Sequence, residues 1–118
     1  HMTAHNITNH LCELDGDTAH CESYVMGGLH WLEGNKGSGS EGETTTLAFG
    51  RYLDRMEKRG GEWRILVRRC TIEASINADG SWVHSPNVKG FLKALWDGND
   101  PSYERPFTWK PKDEGVRW

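Results

Sequence analysis

The chain has 118 residues and a mass of 13.4 kDa, which suits one domain, residues 1–118, and leaves no room for two. Its 14 Lys and Arg against 17 Asp and Glu give a net charge of −3, so no basic field exists to recruit nucleic acid or an anionic membrane. Mean hydropathy is −0.73, and no apolar run approaches the ~20 residues a membrane-spanning helix needs.

The first residues, His1-Met2-Thr3-Ala4-His5, have neither the charged nor the apolar region of a secretory signal. His1-Met2 reads as a cloning remnant. Cys12, Cys21 and Cys70 are an odd set without CxxC spacing, which argues against a disulfide framework and fits a reducing cytoplasm. Hydrophobic content is only 36%, so the six tryptophans must supply much of the buried area.

Residues 3–14 alternate apolar and polar side chains and stop at Asp15-Gly16, a two-residue hairpin signal. A turn there sets Leu14 against Asp17, Leu11 against His20, Asn9 against Glu22, Ile7 against Tyr24 and His5 against Met26. With period-two alternation these residues, Leu14 and Asp17 aside, share one face, expected to be the covered one. Residues 34–43 (GNKGSGSEGE) read as a mobile loop. A second hairpin follows about Gly60-Gly61, setting Lys58 against Trp63, Met56 against Ile65, Asp54 against Val67, Tyr52 against Arg69 and Gly50 against Thr71. That register makes Tyr52, Met56, Trp63, Ile65 and Val67 an apolar face, with Asp54 and Arg69 as its polar exceptions.

After the Ala78-Asp79-Gly80 turn, Ser85 is the expected N-cap and Pro86 the first residue of a helix. Val88, Phe91, Leu92, Leu95 and Trp96 recur at helical spacing and give it an apolar stripe. Asp97-Gly98 ends it. The tail carries Pro101, Pro106 and Pro111 with Tyr103, Phe107, Trp109 and Trp118, and reads as an extended aromatic segment. The expected class is α+β: a strongly bent antiparallel sheet of about four strands, a C-terminal amphipathic helix and that tail.

Gly50-Arg51-Tyr52-Leu53-Asp54-Arg55, Gly60-Gly61-Glu62-Trp63-Arg64-Ile65 and Arg68 resemble the SnoaL-like branch of the nuclear transport factor two-like superfamily. The runs His5-Asn6-Ile7-Thr8-Asn9 and Leu14-Asp15-Gly16-Asp17-Thr18-Ala19 are similar to that family's second and third strands, and Asp100 to Pro106 to its tail. The resemblance implies a partial cone with an apolar cavity, and it implies dehydration, isomerisation or cyclisation without a cofactor, or ligand binding without catalysis. It places the family's strand histidine at His5. The family's usual N-terminal helices and their aspartate have no counterpart before this strand.

His5 is therefore the expected general base, since imidazole titrates near neutral pH. Glu22 and Asp54 are the carboxylates the registers offer to orient it. Tyr24 and Asn9 are the expected donors to a carbonyl or enolate. Ile7, Glu22, Met26, Tyr52, Asp54 and Arg69 would line the substrate, a small hydrophobic and cyclic molecule. Arg68 matches a family arginine but falls on the other face unless a bulge intervenes. A metal site needs three protein ligands and only His10 and Cys21 are in view, so none is expected. One short helix cannot cover four long strands, so a homo-oligomer is expected to seal the sheet.

Overall fold

The computed structural model describes residues 2–33, 42–106 and 116–118. It divides into two units, His1–Gly80 and Ser81–Trp118.

The first unit is one antiparallel meander. Strands β1 (Met2–Asp15), β2 (Thr18–Trp31), β3 (Thr44–Arg59) and β4 (Glu62–Asp79) lie side by side in chain order. The sheet is curved and does not close on itself. Both expected hairpins are present. The second turns at Gly60-Gly61, both with positive φ (59° and 85°), as a two-residue loop whose twist matches its strands requires. The first turns one residue later than expected: Asp15 pairs with Thr18 across Gly16-Asp17, and Gly16 takes the positive φ of 58°.

Three register shifts interrupt the ladders, one between β1 and β2 and two between β3 and β4, and two of them redistribute the expected site residues. Between Thr8 and Leu11 the β1/β2 register slips by one, and Asn9 adopts φ 49°, a left-handed conformation that asparagine tolerates better than most residues. A one-residue slip exchanges faces. His5 and Ile7 therefore pair with Gly27 and Val25, on the face opposite Tyr24, Glu22 and Met26, which corrects the expected grouping. Between Arg55 and Met56 the β3/β4 register also slips. Lys58/Trp63 and Met56/Ile65 pair as expected, but beyond the bulge Asp54 faces Arg68, Tyr52 faces Cys70 and Leu53 faces Arg69.

Every buried strand residue lies on one face of this sheet: Ala19, Cys21, Ser23 and Gly27 from β2, with Thr44, Gly50 and Asp54 from β3. These come from the two central strands. The outer strands β1 and β4 have none.

The second unit contradicts the expected helix. Among its described residues the helical segments are 3-10 turns at Ser81–His84 and Pro101–Tyr103. One turn does form after Ser85, where Lys89 N–H donates to the Ser85 carbonyl at 3.2 Å. It ends at Gly90, which takes φ 91°. Glycine costs a helix interior about 1 kcal/mol relative to alanine, and a helix this short is marginal unless its stripe is buried. Phe91 and Trp96 stay exposed. Leu92 forms an extended bridge with Arg117, and the Lys93 ammonium sits 4.2 Å from the centre of the Trp118 ring. Asp100 caps the Pro101–Tyr103 turn by accepting from Ser102 N–H at 2.9 Å. The expected loop at 34–41 and the tail aromatics Phe107 and Trp109 lie outside the described residues.

Candidate functional site on the covered sheet face

The buried face carries a polar group at its centre. Arg68 donates two hydrogen bonds to the Asp54 carboxylate, both 2.7 Å, the bidentate geometry that gives the strongest charge-assisted pairs. The same guanidinium lies 4.1 Å from the centre of the Tyr52 ring, a cation–π contact. Asp54 is 5% exposed. Hydrogen bonding from Arg68 holds its carboxyl below the usual range, against the opposing pull of burial, and His10 adds a smaller lowering influence.

Beside this pair, on the neighbouring strands, Cys12 directly faces Cys21 and the two form a disulfide, with Cα atoms 4.1 Å apart. This corrects the expectation of three reduced thiols; Cys70 is the free one. His10 shares their face. Its Nδ1 lies 2.5 Å from the Ser23 hydroxyl and its Nε2 3.1 Å from the Cys12 sulfur.

The opposite face has its own ion-pair ladder. Arg51 bonds Glu22 at 2.9 Å and also Glu73, and lies 5.9 Å from the Tyr24 ring centre. The bond to Glu22, then that to Glu73, raises the Arg51 pKa, so Arg51 is a permanent cation. Further along, His20, Leu53, Arg55, Val67 and Arg69 line an open groove of about 290 Å³.

The SnoaL-like domain family matches residues 1–69. The chain belongs to the SnoaL-like family. Among solved structures it is similar to the Kfla4162 protein from Kribbella flavida, with 26% sequence identity and a TM-score of 0.50, over 63% of this chain and 48% of that one. The match thus spans about half the length of the Kribbella protein. No curated protein matches the chain.

In this SnoaL-like chain the expected site residues separate into two groups. His5, Ile7, Tyr52 and Asp54 share the face that carries the buried residues, with His5 and Ile7 at its exposed outer strand, whereas Tyr24, Glu22, Met26 and Arg69 occupy the other. Asn9 sits in the β1 bulge. His5 lies over Gly27, close enough that an added Cβ would meet its Nε2 at 3.6 Å. Neither expected carboxylate orients it. Glu22 is on the wrong face and held by Arg51. Asp54 pairs with Cys21, six residues along β2 from the Gly27 that faces His5, roughly 20 Å at strand spacing.

The expected register puts Arg69 on the face of Asp54, and the bulge puts Arg68 there instead. The family-like arginine was the available signal. The expected turn at Asp15-Gly16 sets His10 against Cys21, whereas the observed turn at Gly16-Asp17 sets Cys12 there.

Proposed function

We propose that this SnoaL-like chain binds a small hydrophobic, cyclic molecule against the covered face, over Ile7, Val25 and Tyr52. Arg68 serves as the polar anchor there, because Asp54 occupies only one side of its guanidinium. The observation that supports this reading is that every buried strand residue lies on the face that carries the Tyr52–Arg68–Asp54 group. Desolvated surface with a few fixed polar groups is what a ligand site requires.

Proton transfer by His5 is the second reading, favoured by its place on the same face. A dehydration or isomerisation there needs no cofactor, but it needs a carboxylate beside the imidazole. That carboxylate has to come from a segment outside this sheet. Asn9 remains the nearer of the two expected donors, since Tyr24 faces away.

Titration of 2-naphthol into methyl-labelled protein tests the binding reading. The Ile7 and Val25 methyl signals are expected to shift, while those of Met26, Leu47 and Leu53 stay in place. Shifts confined to the second set, or none at millimolar probe, would overturn it.

Self-association belongs to the same proposal. Ile65, Val67, Ile72 and Ile76 of the outer strand β4 are between 45% and 68% exposed, and so long an apolar edge invites pairing with another chain. Light scattering is expected to give a mass at least twice the 13.4 kDa of one chain; a monomer at high concentration would refute this part.

A further inference from the structure

We propose that, once reduced, Cys12 and Cys21 join His10 in a metal site for a borderline-soft divalent cation such as Zn2+, for which the disulfide is the closed state. The donor atoms are the two sulfurs and an imidazole nitrogen, all within 4.8 Å of one another, and Nε2 lies 3.1 Å from the Cys12 sulfur. A tetrahedral zinc ion holds two sulfurs and a nitrogen roughly 3.6–3.8 Å apart, so the sulfurs must part from bonding distance while the imidazole stays beside them. His10 and Cys12 are two residues apart on β1 and therefore point to the same face, and ladder pairing with β2 brings Cys21 opposite Cys12.

Ser23 supplies the outer support such a ligand needs. With the Nδ1 proton donated to the Ser23 hydroxyl at 2.5 Å, Nε2 presents its lone pair to the sulfurs, and metal-bound histidines are oriented in this way. Cys21 is 1% exposed, whereas Cys12 and His10 face solvent. The ion would enter from that side and keep its fourth position for water or a ligand.

The chemistry balances in two steps. A dithiol reductant converts the disulfide to two thiols and is itself oxidised to a disulfide. Each thiol then gives its proton to water as its sulfur binds, so two thiolates neutralise the charge of the divalent ion. Disulfide and metal exclude each other, which makes loading dependent on the redox poise around the protein.

Cobalt(II) is the probe, titrated anaerobically into the Cys70→Ser chain, which removes the exposed third thiol. In the reduced chain one equivalent is expected to give a thiolate-to-cobalt charge-transfer band that zinc abolishes. The oxidised chain, identical in sequence, is expected to give no such band. His10→Ala is expected to weaken cobalt binding at least ~10-fold. A reduced chain with native circular dichroism and no sulfur-to-cobalt band would overturn the proposal, as would His10→Ala with unchanged affinity.

Discussion

Arg68→Leu is expected to lower the free energy of unfolding by about 2–3 kcal/mol, while Arg69→Leu changes it by less than about 0.5 kcal/mol. The two arginines are neighbours in sequence but face opposite sides of the sheet. Removing Arg68 strands a carboxylate that is 5% exposed and loses both of its 2.7 Å bonds. Removing one partner of a buried pair typically costs more than this, about 3–5 kcal/mol. The Arg68 side chain is 41% exposed, so water can enter where it stood, and the lower figure applies.

The pH dependence carries a sign that identifies the pair. The folded Asp54 carboxyl ionises at lower pH than in the unfolded chain, because Arg68 bonds the charged form. Its stabilisation is therefore complete above the ordinary aspartate pKa, near 3.9. It drains away as pH falls toward the folded value, since the unfolded state takes up the proton first. In the Arg68→Leu variant burial acts in the opposite direction and outweighs the smaller lowering influence of His10, so this carboxyl's contribution to the acid slope is expected to reverse. Urea unfolding at pH 7 and at several acid pH values measures both effects. Equal losses for the two arginine variants would show that Asp54 is not held as described.

Gly50→Ala is expected to cost about 3 kcal/mol or more, or to prevent folding, whereas Gly28→Ala stays within about 1 kcal/mol. At Gly50 the strand passes so close to β4 that a Cβ would sit 1.9 Å from the Thr71 carbonyl oxygen and 3.0 Å from its carbon. Backbone atoms cannot rotate aside as a side-chain tip can. Gly50 lies where the β3/β4 register slips between Phe49 and Gly50, so relief would require rebuilding the bulge. At Gly28 the nearest atom is a Leu47 methyl carbon at 3.7 Å, an ordinary contact. Thermal denaturation of the two variants side by side checks the contrast, and a Gly50→Ala protein as stable as its parent would refute the close approach. The glycine that opens the family-like Gly50-Arg51-Tyr52 motif is thus explained by strand packing and needs no catalytic role.

The same contacts explain why the site was only half legible. The second hairpin was readable because Gly60-Gly61 permits one tight turn, and the pairs nearest it followed. Arg68 was not assignable beyond that, because Leu66 carries no mark that it is the residue the ladder skips. The strand and the face expected for His5 are the ones observed, but its expected companions Glu22, Tyr24 and Met26 lie on the other face for the same reason, with Asn9 as the inserted residue. The disulfide is hidden from the sequence because a turn at Asp15-Gly16 sets His10 against Cys21, and only the observed turn one residue later brings Cys12 there.

Local chemistry in the sequence determined the number of strands, their order, the second tight turn and, to within one residue, the first, since alternation and turn glycines act over a few residues. The tertiary structure alone decided which side chains meet. Side chains alternate faces residue by residue, so each bulge transfers everything beyond it to the other side, and bulges are chosen by how neighbouring strands bend together. It also decided the carboxy-terminal unit, where Gly90 takes a positive φ, Phe91 and Trp96 stay exposed, and the apolar stripe does not continue as a helix.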